Sequence, residues 1–175
     1  MMITLIRHAQ KIYGNKSSES CKYDSPLISG ADKHICQKYN AYVNKLESVP
    51  TKIICSPYLR TRETAEVISN LSGVPYEIHK DASEYLGWNS DINDQDFYPE
   101  TLEYGPFVIE SMDEFQDRVK FFLHELLNML NDGDHIWVIT HGLIISTILK
   151  EYGIVKDNIK TLKGISITKD KVIIL

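Results

Sequence analysis

The chain has 175 residues, 43% of them hydrophobic and 25% charged, with a formal net charge of −5 at neutral pH. Those proportions suit one globular domain over residues 1–175, with a core large enough to need no disulfide or metal staple, and they exclude long disordered stretches. The acidic balance argues against nucleic acid or a membrane surface as partner, and no apolar run approaches the ~20 residues that span a bilayer.

The opening "MMITLIRH" is an apolar, β-branched run too short for a helix, and it reads as a buried strand ending on Arg7 and His8. It has no basic start, signal core or cleavage site. The cysteines, Cys21, Cys36 and Cys55, are odd in number, so a reduced, cytoplasmic chain is expected and the triplets "NKS" and "NLS" are chance matches. Next, "KHICQKYNAYVNKL" repeats apolar residues at Ile35, Tyr39, Tyr42, Val43 and Leu46, one face of an amphipathic helix.

A second strand, "KIICS", ends at Ser56 and leads through "SPYLR" into a second helix, with Arg60 in its first turn. "YEIHK" is a third strand and leads to "DASEYLGW", which places Glu84 in the following loop. The stretch "NSDINDQDFYPETLEYGP" is polar, acidic and aperiodic, a candidate lid. A further helix starts at "SMDEF", where Ser111 and Glu114 have capping-box spacing and Phe115, Val119, Phe122, Leu126 and Leu130 form a stripe. "HIWVITH" is a fourth strand, ending at Thr140 and His141 before Gly142 and an apolar helix, and "ISITKDKVIIL" predicts a tight hairpin around Lys169 and Asp170. Strands alternating with helices predict an α/β fold: a three-layer α/β/α sandwich with a mainly parallel sheet and an antiparallel C-terminal hairpin.

Ligands bind outside the carboxyl ends of the strands in such sheets. If the ends of strands one, two and four are neighbours, two arginines and two histidines converge beside a helix N-terminus, a pocket suited to phosphate. Arginine's planar fork holds two phosphoryl oxygens, a neutral imidazole keeps a lone pair for attack on phosphorus, and Glu84 is the candidate acid for the departing oxygen.

Other residues have plainer readings. Arg62 points some 200° away from Arg60 around the helix and reads as a surface or ion-pair residue, and Thr64 as support for the turn or helix packing. His34, His79, His124 and His135 lack zinc-ligand spacing and read as structural or exposed. Cys55 lacks the register of a cysteine phosphatase and reads as a small buried hydrophobe. Ser56 either caps the following helix or donates to the pocket, and Tyr85 and Trp88 are either core or a wall over the substrate.

Four stretches carry a resemblance. "LIRHAQ" resembles the opening Arg-His-Gly motif of the histidine phosphatase superfamily, the phosphoglycerate mutase-like proteins; "SPYLRTRETA", "VITHGLII" and "DSPLISG" are similar to its other motifs, in order and in place relative to the strands. The resemblance implies a metal-free, cofactor-free phosphohistidine mechanism: His8 attacks phosphorus, Arg7, Arg60 and His141 hold the equatorial oxygens, and Glu84 protonates the leaving group and then activates water. Asn15 corresponds, one residue late, to an asparagine that some members use on the phosphate. Ala9 stands where the motif has glycine, and the Pro-Leu stretch is one residue short before Gly30. The short span from Glu84 to His141 lacks the long insertions that close over substrate in the family's mutases. It favours a phosphomonoesterase acting on a small-molecule phosphate ester or a phosphoprotein. Phosphoglycerate mutase-type transfer and a non-catalytic phosphate-binding scaffold are the rivals.

Overall fold

The computed structural model describes residues 1–12, 23–87, 94–105, 109–169 and 171–175. Its sheet has six strands, β1 (Met2–Arg7), β2 (Lys52–Cys55), β3 (Tyr76–Ile78), β4 (His135–Thr140), β5 (Gly164–Ile167) and β6 (Val172–Ile174), in the order β3-β2-β4-β1-β5-β6. The four strands from β3 to β1 run parallel, whereas β5 and β6 are antiparallel and form the expected hairpin.

Alternation along each strand decides what the two faces bury. Ile3 and Leu5 of β1, Ile54 of β2 and Ile136 and Val138 of β4 pack with the stripe of α4 (Met112–Asn128) and with α5 (Gly142–Glu151). The intervening Ile6, Ile53, Cys55, Trp137 and Ile139 pack on the opposite face with α1 (Ala31–Leu46) and α2 (Leu59–Ser72). The result is the α/β/α sandwich. The capping box at the start of α4 is present as spaced: Ser111 Oγ accepts from the Glu114 amide, and Glu114 accepts from the Ser111 amide.

Gly164 is required where β5 begins. A Cβ there would stand 1.9 Å from the Leu5 carbonyl oxygen, so only glycine lets β5 pair against β1 at this point. Part of the acidic stretch lies within the described residues and is not aperiodic coil. It contains a 3-10 turn at Asp94–Asp96 and the short helix α3 (Pro99–Leu102), with Phe97 and Thr101 buried. The reason is Asp24, fully buried, whose carboxylate accepts from the amides of Leu59 and Tyr98 and from the Thr101 hydroxyl. Arg62 departs from its expected exposed or ion-paired state for the same reason: it is half-buried and its Nη2 donates to Thr101 Oγ1 at 3.0 Å. No described helix is long and apolar enough to cross a membrane.

Candidate active site

Parallel β1, β2 and β4 deliver Arg7–His8, Ser56 and Thr140–His141 to one rim, because Arg7 is in register with Thr140 and Cys55 with Ile139. The His8 and His141 rings lie edge to face, 5.4 Å apart and both buried. His8 Nδ1 donates to the Ala9 carbonyl at 2.6 Å, which fixes the proton on Nδ1 and leaves a lone pair on Nε2. Thr64 supports that geometry: its hydroxyl accepts from the Ala9 amide at 3.1 Å and donates to the Arg60 carbonyl.

Arg60, buried at the start of α2, joins the parts. Its Nε donates to His8 Nε2 at 3.2 Å, its Nη2 lies 3.3 Å from His141 Nδ1, and its Nη1 donates to the Tyr23 carbonyl at 2.8 Å. The guanidinium also lies over the Tyr58 ring, 4.4 Å from its centre. Arg7 is fixed from the β5 side, its Nη1 donating to the Ile159 carbonyl at 2.6 Å, while its Nε is buried with no partner among the described residues.

Glu84 completes the cluster, with Oε2 3.2 Å from His141 Nδ1 and 3.6 Å from Arg60 Nη2. A carboxylate on one side of Nδ1 and the Ser56 hydroxyl 2.8 Å from Nε2 assign the proton to Nδ1, with Nε2 accepting from Ser56. Of the two readings for Ser56, the pocket role therefore holds; its Oγ is 3.5 Å from the Tyr58 amide, and Tyr58, not Ser56, precedes the helix.

Burial sets the charge states of both imidazoles. It pushes His8 well below the ordinary histidine value, with Arg60 and His141 adding to the effect, and pushes His141 down to about 4 against the opposing pull of Glu84. Both rings are neutral near pH 7. Burial opposes the charge on Glu84, but His141 and Arg60 more than offset it and hold the carboxyl well below its usual range. The cluster is thus a carboxylate, two neutral imidazoles and a guanidinium.

Two contributors, Lys11 and Arg118, were not visible in the sequence. Lys11, half-buried just past His8, is depressed by burial and by Arg60 and Arg7, while Glu84 and Asp24 pull the other way; its amine therefore lies within the field of the cluster. Arg118 of α4 donates from Nη1 to the Asp81 and Ser83 carbonyls, and its Nε and Nη2 grip Glu110, so a fork and a carboxylate clamp the loop that carries Glu84. Thr140 donates to the Ala82 carbonyl of the same loop at 2.8 Å. The sole signal for Arg118 was its place beside the apolar stripe of α4. Asn15 and Trp88 lie outside the described residues, and Tyr85 packs on Phe115 as core.

Among the described residues two clusters have metal-ligand composition, His8–Glu84–His141 and His79–Asp81–Glu125. Neither suits a cation. In the first, the Arg60 guanidinium already stands beside both histidine nitrogens. In the second, His79 Nδ1 accepts from the Asp81 amide, so Nε2 carries the proton and has no lone pair for a metal.

The chain is similar to known proteins over most of its length. A family model described as the histidine phosphatase superfamily (branch 1) matches residues 3–163. Among solved structures, the TTHB049 protein from Thermus thermophilus is 21% identical with a TM-score of 0.64, covering 100% of this chain and 97% of that one. A mycobacterial glucosyl-3-phosphoglycerate phosphatase is 16% identical with a TM-score of 0.66, covering 94% and 88%. A putative alpha-ribazole-5'-P phosphatase from Escherichia coli is 15% identical with a TM-score of 0.68, covering 100% and 95%. No curated protein matches the chain.

Proposed function

Since the chain belongs to the histidine phosphatase superfamily, branch 1, we propose that it hydrolyses phosphate monoesters through a phosphohistidine on His8, without a metal. The observation that carries this reading is the state of His8: Nδ1 is committed to the Ala9 carbonyl, so a neutral ring offers its Nε2 lone pair into a cluster of donors. His8 Nε2 bonds to phosphorus as the ester P–O bond breaks, and the departing oxygen takes a proton from Glu84. Water then attacks phosphorus with Glu84 receiving its proton, the P–N bond breaks, and His8 regains its lone pair.

Arg60, His141 through Nδ1–H, and Arg7 with its unpartnered buried Nε meet the equatorial oxygens. Before substrate binds, Glu84 is ionised, which is the wrong form for an acid. A phosphate group arriving beside it reverses that: like charge raises a carboxyl's pKa, and Arg60 and His141 turn their hydrogens to the phosphate instead. Substrate binding therefore primes the acid. A phosphomonoester small molecule fits the known phosphatases of this fold, and a short chain between Glu84 and His141 leaves water access to the phosphoenzyme.

The test is trapping. Rapid quench with a labelled phosphomonoester is expected to give an acid-labile, base-stable phosphoenzyme in the wild type and none in His8→Ala. p-Nitrophenyl phosphate hydrolysis by that variant is expected to fall at least about 10⁴-fold. Retention of label by His8→Ala overturns the nucleophile, and loss of activity on chelation overturns the metal-free scheme. Label exchange between 2,3-bisphosphoglycerate and 3-phosphoglycerate in place of net release assigns a mutase.

A further inference from the structure

Helix α2 carries Arg60, and its amino end is capped from a distant part of the chain. Tyr58, in the capping position, gives the helix no side-chain hydrogen bond, and the first turn holds no acidic residue. The amide of Leu59, next to Arg60, donates instead to the carboxylate of Asp24, thirty-five positions earlier, at 2.6 Å. The amino end of a helix favours a negative group of this kind.

Asp24 is fully buried, and its other oxygen accepts from the Tyr98 amide at 3.2 Å and from the Thr101 hydroxyl. A buried charge is costly unless it is well hydrogen-bonded, and here three donors from two separate elements converge on one carboxylate. Asp24 therefore joins the start of the Arg60 helix to the segment 96–101. Arg62, two residues after Arg60, strengthens the joint by donating to Thr101 Oγ1.

Both sides of this joint reach the catalytic cluster. The Tyr23 carbonyl, beside Asp24, accepts from Arg60 Nη1 at 2.8 Å, and the Tyr23 amide donates to the Asp96 carbonyl at 3.4 Å. From the other side, the buried Phe97 sets its ring against Tyr58, with centres 5.8 Å apart. The Tyr58 ring in turn lies 4.4 Å from the Arg60 guanidinium and edge to face with His141 at 5.1 Å. Arg60 directs Nε to His8 and Nη2 toward His141, so the Tyr23 carbonyl and the Tyr58 ring are what hold its plane from behind.

The stretch that carries Asp24 is itself fixed. The Leu27 amide donates to Glu63 of α2 at 2.7 Å, the Ile12 amide to the Pro26 carbonyl, and the Ile28 amide to the Gln10 carbonyl. Asp24 thus stands on a segment bonded both to α2 and to the loop that follows His8.

We propose that Asp24 is a positioning residue for Arg60: by fastening Leu59, Tyr98 and Thr101 to one carboxylate, it holds the Tyr23 carbonyl and the contact of Phe97 with Tyr58 that set the plane of the guanidinium. The proposal rests on the phosphatase reading, in which Arg60 meets the equatorial oxygens. In its 96–101 part the acidic stretch is then a brace for the phosphate clamp. Those oxygens stay on phosphorus when the ester bond breaks, so a displaced Arg60 slows every ester alike, whatever its leaving group.

Asp24→Asn tests this, since asparagine keeps the shape and accepts at one end only. At a temperature where circular dichroism shows it folded, the variant is expected to lose about tenfold in kcat/KM, equally for p-nitrophenyl phosphate and for an alkyl phosphate. Inhibition by vanadate is expected to weaken by the same factor. In an Arg60→Lys background, which lacks the planar fork, Asp24→Asn is expected to change kcat/KM less than twofold, because two changes acting through one group do not add. A full second loss in that background, or no loss in the folded single variant, overturns the proposal; so does a loss confined to the alkyl ester, which is the mark of a displaced acid. If Asp24→Asn does not fold, Phe97→Leu reads the same coupling through the ring contact: about a threefold loss, absent with Lys at position 60, supports the brace, and an additive loss overturns it. If the wild type hydrolyses no phosphomonoester, the phosphatase reading has failed, and calorimetric titration with vanadate decides the joint by itself. About tenfold weaker binding in Asp24→Asn that disappears in the Arg60→Lys background supports it, and equal binding or none overturns it.

Discussion

Strand β4 begins with His135 and ends one residue before His141, and both imidazoles are fully buried and pushed down to about 4 by burial. Their partners differ. At the amino end, the hydrogen-bond partners of His135 are neutral: Trp137 Nε1 donates to its Nε2 at 2.9 Å, Thr4 Oγ1 lies 2.8 Å from the same nitrogen, and Ser48 Oγ lies 2.9 Å from Nδ1. At the carboxyl end, His141 faces a carboxylate and a guanidinium. A depressed histidine pKa alone therefore marks burial. The mark of chemistry is charged neighbours at the strand end where loops and helix N-termini converge.

Replacing the two histidines in turn tests that contrast. His141→Asn is expected to lower kcat/KM on a phosphomonoester by about 10²–10³-fold, the cost of one oxyanion donor, with little change in urea midpoint. His135→Asn is expected to do the reverse: turnover within threefold at a temperature where it is folded, and stability lower by about 1–3 kcal/mol because the Trp137, Thr4 and Ser48 groups lose their partner. If the His135 variant loses activity at full stability, the division between the two ends of the strand fails.

A smaller effect on turnover is expected from Arg118, whose guanidinium is taken up by Glu110 and by the Asp81 and Ser83 carbonyls of the Glu84 loop. Arg118→Met leaves Glu110 without its cation and frees the carbonyls of Asp81 and Ser83. About a tenfold loss in kcat is expected for an ester with a poor leaving group, since the proposed acid is displaced, and a smaller loss for p-nitrophenyl phosphate, whose leaving group needs less protonation. Equal losses on both esters remove Arg118 from the positioning of Glu84.

Most of the architecture and the centre of the site were legible because strands and amphipathic helices are local patterns. Arg7, His8, Arg60 and His141 each stand at the end or start of such a pattern, and parallel pairing did the rest. Glu84 was legible through its position after the third strand. The unread parts are long-range. Asp24 anchors α3 across more than seventy positions of sequence, and that bond is what turned a polar stretch into a short helix and drew Arg62 inward. Lys11 and Arg118 follow no period either: their meaning comes from residues that the fold brings beside them.

The pH dependence of stability is the subtlest consequence of the comparison. An unfolded histidine takes up its proton near pH 6.5, whereas His135 in the fold does so near 4. Between those values the unfolded chain binds more protons, so the contribution of His135 is complete above pH 6.5 and is lost as pH falls toward 4. From pH 7 to 5 the loss from this one residue is about 2 kcal/mol. Protonation also sets a hydrogen on Nε2 against the Trp137 N–H, which removes the bond holding the ring. Urea titrations at pH 7 and pH 5 are expected to show a fall in unfolding free energy in the wild type that is smaller by about 2 kcal/mol in His135→Asn, because asparagine has no proton to gain. The same pair of titrations on His141→Asn reads the other end of the strand: its ring, with the pull of Glu84 included, also takes up a proton only near 4, so the same linkage predicts that this variant too lessens the fall by about 2 kcal/mol, and a fall unchanged in both variants would remove the two imidazoles as its source.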